Sequence, residues 1–293
     1  MSTQGDFFHS GTAEKLKAIS GYLSAYQSVL KSFCANGGRT TYFDAFAGTG
    51  DLPIGIEGGG LLKDVEELSV IADGSARRAL MVEPWFDRYV FVERSLKKAT
   101  ELAKIKEDFP LQSERISVIR GDANDEVTKF CRRTDWAKTR AVMFLDPFGN
   151  QVNWETIAAI ARCPIDLWYL FPAHLGINRQ VSNSGIIEDE KAASLDRVLG
   201  TSDWRAQFLF AEIVPQLDGS KREVMRKQLN ADIATRFMIA RMKSIFKGGV
   251  VDGWLPLGPN GAHWYSLVFA WGNSSQAAGA IAKRIAEHLM TRR

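Results

Sequence analysis

The sequence predicts an α/β protein whose mostly parallel sheet carries helices on both faces. Between residues 39 and 171, short apolar runs alternate with segments of helical period, the pattern of right-handed βαβ crossovers. The runs are continuously apolar rather than alternating, as strands covered on both faces must be. At 293 residues, 45% of them hydrophobic and 24% charged, the chain has ample material for a core and suits one large domain or a domain with an insertion. A disordered chain is excluded.

Leu16, Ile19, Leu23, Tyr26, Leu30 and Phe33 recur every three or four residues and predict a core-facing helix. Thr12 is its expected N-cap, with Glu14 in the first turn and Gly37-Gly38 at the end. Arg39 to Ala47, rich in aromatic and β-branched residues, reads as a buried strand running into the turn Gly48-Thr49-Gly50. Residues 51–74 hold Gly55, Gly58, Gly59, Gly60 and Gly74 and read as a long loop or insertion, before a short helix around Ala76–Val82. Arg88–Glu93 is the second strand. Ser95 caps a helix through Lys106 with Leu96, Ala99, Leu102 and Ile105 on one face.

Arg115–Arg120 is the third strand, Asp125–Arg133 a helix, Arg140–Leu145 the fourth strand, Asn153–Ala161 a helix and Ile165–Phe171 the fifth strand. Beyond Phe171 the alternation stops, and Glu188–Leu199, Ser202–Ile213 and Lys221–Phe246 read as helices with no strand among them. Gly249–Leu257 and His263–Trp271 form a hairpin around Pro256, Gly258, Pro259, Asn260 and Gly261. Ser274–Met290 closes the chain as a helix with Ala277, Ile281, Ile285 and Leu289 on one face. Four parts follow: an N-terminal helical segment (1–38), the sheet core (39–171), a helical insertion or cap (172–248), and the closing hairpin and helix (249–293).

Composition also narrows the function. No stretch approaches the ~20 apolar residues of a membrane span, and residues 1–10 do not form a signal peptide, so a cytoplasmic protein is expected. Cys34, Cys131 and Cys163 are too few and too scattered for a disulfide framework or a zinc site. Four dispersed histidines give no metal constellation, and none is expected. A net charge of +3 admits nucleic acid without arguing for it.

In an open α/β sheet, ligands sit outside the carboxyl ends of the strands. Those ends carry a row of acids. Asp44, Phe46, Ala47, Gly48 and Gly50 follow the first strand as D-x-F-A-G-x-G; Glu93 ends the second; Asp122 and Ala123 follow the third; Asp146-Pro147-Phe148-Gly149 closes the fourth. Glycines let a ligand approach the backbone, Glu93 can accept both hydroxyls of a ribose, and Asp122 an amino hydrogen of adenine. A dinucleotide fits poorly, because only Gly48-Thr49-Gly50 of the G-x-G-x-x-G pattern is present, and Asp44 would repel phosphate. It would attract an ammonium, which points to S-adenosyl-L-methionine as cofactor.

Asp146, Pro147 and Phe148 are the candidate catalytic residues. Their turn is similar to the D-P-P-aromatic clamp of amino-methyltransferases, which accepts hydrogens of the target amine and stacks a ring on an extruded base. Here only one proline is present, and Gly149 stands where the aromatic residue is usual.

Seven motifs occur in order: Lys15-Leu-x-x-Ile19-x-x-Tyr22-Leu23-x-x-Tyr26, Tyr42-Phe-Asp-Ala-Phe-Ala-Gly-x-Gly50, Gly74-Ser-Ala-x-x-Ala-Leu80, Phe91-Val-Glu93, Gly121-Asp-Ala-Asn124, Phe144-Leu-Asp-Pro-Phe-Gly149 and Gly176-Ile-Asn-Arg179. Together they resemble the three-Cys-motif partner protein family, most closely over residues 12–180. The resemblance implies a Rossmann-like class I methyltransferase fold with a mostly parallel seven-stranded sheet in the order 3-2-1-4-5-7-6. It also implies a partner with a three-cysteine motif like that of radical S-adenosylmethionine enzymes, so the cysteines belong to that partner.

His174, Asn178 and Arg179 lie just after the fifth strand and are candidate substrate-binding residues; a structural histidine and a structural salt bridge are the competing readings. Lys221, Arg222, Arg226, Lys227, Arg236, Arg241, Lys243 and Lys247 would line a solvated helix face or a groove for a phosphate backbone. Two functions stay open: a methyltransferase acting on an amino group, with nucleic acid as one substrate class, and a non-catalytic binding partner of the three-Cys-motif protein.

Overall fold

The structure, a computed structural model, describes residues 4–50, 74–218, 220–258 and 261–291. Five parallel strands form its centre: β1 (Arg39–Asp44), β2 (Arg88–Glu93), β3 (Ile116–Arg120), β4 (Thr139–Leu145) and β5 (Ile165–Phe171). Three runs follow near the C-terminus, the short β8 (Gly249–Val250) and β9 (Leu255–Leu257) and the full-length β10 (Tyr265–Trp271). The order is β3-β2-β1-β4-β5-β10-β8, with β10 antiparallel to both its neighbours. This is the 3-2-1-4-5-7-6 order of a Rossmann-like class I methyltransferase fold. An eighth short strand, β9, also pairs with β10.

The terminal hairpin differs from expectation in one respect: Gly249–Leu257 is not continuous but breaks into β8 and β9. The intervening Val251 is buried, while Asp252 is an exposed partner of Lys243.

Each face of the sheet has its own core. One is covered by the N-terminal helix α1 (Gln4–Val29) and the C-terminal helix, Gln276–Thr291. Leu16, Ile19, Tyr22, Leu23 and Tyr26 of α1 are buried there. Helix α1 begins well before Thr12, which is therefore an interior position rather than the cap; no proline stands between them to stop the helix. The other face is covered by α2 (Ala123–Arg133), α3 (Trp154–Ala161) and α4 (Ala231–Lys243). The segment 51–73, expected to be a loop or insertion, lies outside the described residues.

Two helix faces are rotated from the predicted ones. Leu96, the first residue after the Ser95 cap, is exposed while Ala99, Leu102 and Ile105 are buried. In the C-terminal helix Gly279, Ala282, Ala286 and Met290 face inward, leaving Ala277 exposed. Small residues at the contact let that helix sit close; a Cβ on Gly279 would come 2.6 Å from Trp271 Nε1.

The insertion departs most from its helical reading. Asp189–Leu199 and α4 are helices, but between them an antiparallel ribbon pairs β6 (Leu209–Pro215) with β7 (Lys221–Lys227). The expected helices Ser202–Ile213 and Lys221–Phe246 therefore shrink to Trp204–Phe208 and Ala231–Lys243. Most of the ribbon is exposed, so the apolar–polar alternation that marks a strand has little reason to appear. Pro215-Gln-Leu-Asp-Gly219 was the available turn signal.

Asp166 on β5 ties α1 to the sheet. Its carboxylate accepts a 2.5 Å hydrogen bond from the Tyr22 hydroxyl, and the Tyr22 ring meets Trp168 edge-on at 5.3 Å. Burial pushes the Asp166 carboxyl up to about 7, against the Tyr22 bond that holds it down. A raised folded-state value stabilises at low pH, and that contribution is lost as pH climbs from about 4 through 7. The urea midpoint should thus fall between pH 5 and 8. Asp166→Asn, which keeps an acceptor for Tyr22, should remove Asp166's share, on the order of 2 kcal/mol; an unchanged pH dependence would refute this account.

Candidate active site

Strand register brings the predicted acids to one edge. Asp44 pairs with Phe91 on β2 and with Phe144 on β4. Glu93 and Asp146 each stand two positions further along, so they flank the end of β1 on either side. Glu93 pairs in turn with Arg120, and Asp122 stands two positions past it. The row therefore steps outward across four adjacent strands.

Asp44 is fully buried. Ser75 Oγ donates to its Oδ2 at 2.5 Å and the Phe46 amide donates to Oδ1 at 3.1 Å. Burial pushes the carboxyl up to about 6; the bonds from Ser75 and Phe46 oppose the rise, Asp146 adds to it and Lys15 lowers it. The charge is thus retained at neutral pH only through these partners.

The turn after Asp44 bends at two left-handed glycines, Gly48 (φ 63°) and Gly50 (φ 85°), a conformation other residues resist. The Gly50 amide donates to Ala47 O, and the Ala47 amide to Val92 O on β2. Nothing described lies within 4 Å of where a Gly48 Cβ would stand, whereas one on Gly50 would touch Leu102 at 3.0 Å. Among the described residues Gly48 is therefore the open side of the turn. Phe46 packs into the core of the α2–α4 face.

Glu93 is half-buried, and its Oε1 accepts from the Ser95 amide at 2.7 Å. Asp122 caps α2, its Oδ1 accepting from the Asn124 amide at 2.9 Å. Each of these acids keeps a second carboxylate oxygen for which no partner is recorded among the described residues. Ala123, the first residue of α2, is buried.

The segment that follows the Asp146–Gly149 turn is tied down from two sides, by Asn124, which stands in the Gly121–Asn124 motif, and by Asn150, which sequence reasoning gave no role. Asn124 Oδ1 accepts from the Asn153 amide and Thr156 Oγ1, and its Nδ2 donates to Gln151 O. Asn150 Nδ2 donates to Gly176 O and Ser194 Oγ. Close packing enforces this second tie, since a Cβ on Gly176 would stand 2.3 Å from Asn150 Oδ1. Pro147 is buried, and the Phe148 amide donates to Gln151 Oε1. The Phe148 ring is 84% exposed, an unusual position for a large apolar side chain.

Asp146 Oδ2 accepts a 2.5 Å ion pair from Lys15 Nζ on α1, with the two side chains 26% and 12% exposed. Lys15 and Ser75 both stand inside motifs of the sequence, which was the signal that could have found them.

On the neighbouring lip the Asn178 side-chain amide and His174 Nδ1 are hydrogen-bonded at 2.8 Å. Burial lowers the His174 pKa, with Arg179, Lys227 and His263 adding to the shift. Asn178 Oδ1 is buried with no partner among the described residues, and Arg179 is exposed.

The later basic residues divide. Lys221, Arg222, Arg226 and Lys227 lie on β7 rather than on a helix, and Lys227 Nζ donates to Asn178 O. Arg241 donates to Leu199 O and Gly200 O, a structural use.

An open groove of about 800 Å³ lies at the opposite end of the strands, lined among others by Arg39, Thr41, Arg88 and Ser117. None of the expected site residues lines it. Among the described residues no group of three or more His, Cys, Asp or Glu is placed to hold a metal ion, and no helix is long and apolar enough to cross a membrane.

No protein-family model matches the chain, and no curated protein matches it significantly. Two similar solved structures are protein LPL1258 from Legionella pneumophila and an S-adenosylmethionine-dependent methyltransferase from Clostridium acetobutylicum. The first is 12% identical, with 80% of this chain and 92% of that chain covered, at a TM-score of 0.43. The second is 8% identical, with 86% and 92% covered, at a TM-score of 0.36.

Ser75→Ala removes the shorter of the two hydrogen bonds holding the buried Asp44 charge. A loss of about 1–3 kcal/mol in stability is expected at pH 8, shrinking toward pH 5 as Asp44 takes up its proton. Denaturant melts at the two pH values check this, and equal losses at both would show that Ser75 does not act through Asp44.

Proposed function

We propose that the chain is an S-adenosylmethionine-dependent methyltransferase acting on an amino group, with a nucleobase amine as the acceptor its Asp146–Phe148 turn suits. The observation that carries this reading is the pair of carboxylates at neighbouring strand ends, buried Asp44 and partly exposed Asp146, with the Phe148 ring exposed two residues on. The residues fit the cofactor: a buried carboxylate suits a cationic amino group, and no described residue stands within 4 Å of where a Gly48 Cβ would lie, so a ligand can approach the backbone there.

Asp44, with Phe46, Ala47, Gly48 and Gly50, would hold the amino-acid part of the cofactor. Glu93 would take the ribose hydroxyls, and Asp122 with Ala123 the adenine. S-adenosylmethionine supplies an electrophilic methyl group, the carbon–sulfur bonding pair remaining on sulfur. Asp146 accepts a hydrogen bond from the acceptor amine and turns the nitrogen lone pair toward that carbon. As the nitrogen–carbon bond forms, the surplus proton on nitrogen passes to the free oxygen of Asp146. Phe148 stacks on the acceptor ring, and His174, Asn178 and Arg179 line its outer side. Alignment supplies most of the acceleration.

The three-Cys-motif partner protein is part of the same proposal and rests on the seven ordered motifs alone. Co-expression of the two proteins followed by purification through a tag on either one tests it; independent elution of both removes the partner.

Calorimetric titration with S-adenosylmethionine and S-adenosylhomocysteine tests the cofactor, and no binding of either would favour a scaffold. Because Asp44 must be ionised to hold an ammonium, S-adenosylhomocysteine affinity should be flat above pH 7 and weaken below about 6, approaching tenfold per pH unit. Asp146→Ala should abolish methyl transfer to the cellular nucleic acid fraction while S-adenosylhomocysteine affinity stays within about threefold. Normal turnover in that variant would remove Asp146 from the reaction.

A further inference from the structure

Lys15 is the one charged side chain that α1 brings to the strand ends among residues 15–29, and it arrives from 131 positions away in sequence. Its aliphatic stem lies along the sheet, with Nζ 5.8 Å from the centre of the Phe144 ring. The helix that carries it is fixed by the Tyr22–Asp166 bond two turns further on, so the ammonium is held in place rather than left to sample solvent. It meets Asp146 Oδ2, which leaves Oδ1 as the carboxylate oxygen not engaged by Lys15.

We infer that Lys15 is a positioning and selectivity residue: its fixed ammonium aims Asp146 and offsets one of the negative charges that the strand ends present to the donor. This rests on the methyltransferase reading above. Of the four strand-end acids, Lys15 pairs with Asp146. S-adenosylmethionine has an ammonium, a carboxylate and a sulfonium, net one positive, whereas S-adenosylhomocysteine has no sulfonium and is net neutral. The two differ by one positive charge, so a fixed ammonium disfavours the first relative to the second. Lys15 thereby limits how tightly the site holds its donor.

The test is the ratio of S-adenosylmethionine to S-adenosylhomocysteine affinity, measured by calorimetry at pH 8 on the full chain. Lys15→Met should raise that ratio about tenfold, because one unit charge acting across roughly 10 Å of partly screened protein is worth that much. Lys15→Gln keeps a hydrogen-bond donor for Asp146 but not the charge, and should move the ratio the same way; it also guards against a methionine variant that does not fold. Lys15→Arg restores the charge and should return the ratio to within twofold of wild type. A purely structural role would change stability in all three variants and leave the ratio alone. Ratios within twofold of wild type in both uncharged variants overturn the inference while leaving the cofactor reading intact. Failure of wild type to bind either compound overturns both.

Discussion

A carboxylate with no solvent exposure must be matched by its surroundings, and Asp44 is such a group at the centre of the sheet edge. Its partners explain much of the local architecture. Ser75 is drawn in from the start of the short helix before β2, and the Phe46 amide is turned back by the glycine-bearing bend. Lys15 comes from a helix packed on the sheet face and takes the neighbouring Asp146. A polar cluster of this kind, drawing on four distant parts of the chain, needs each part to be placed by apolar packing first.

That packing is supplied by two separate cores. The α1 side is rich in aromatic contacts, with Tyr22, Trp168 and Phe269 meeting at centroid distances of 4.8 to 5.3 Å. The opposite side seats α2, α3 and α4. The two sides hold different parts of the site: the first delivers Lys15 to Asp146, whereas the second ties down the segment after the Asp146 turn through Asn124.

The insertion is packed unevenly. Its helices contribute to the second core, but the β6–β7 ribbon is mostly exposed, Ile213 and Met225 included. It is tied back to the lip of the site by Lys227, whose ammonium reaches the Asn178 carbonyl. The exposed Phe148 and the cation-bearing ribbon thus frame the same end of the sheet.

Residue pattern alone established the α/β class, the five parallel strands and the acids at their ends, because strands buried on both faces must be apolar throughout and a charge is tolerated only where such a run stops. It also located Gly48 and Gly50, whose turn requires left-handed backbone. It misjudged the ribbon, whose exposure gives alternation little reason to appear, and the inward faces of two helices, where small residues rather than large ones make the contact. Only the tertiary structure decided which acids are neighbours, since register across β1, β2 and β4 is a property of pairing. It alone brought Lys15 to Asp146 and Ser75 to Asp44: an ion pair spanning 131 positions leaves no periodic trace, because nothing but the packed helix and sheet connects its ends.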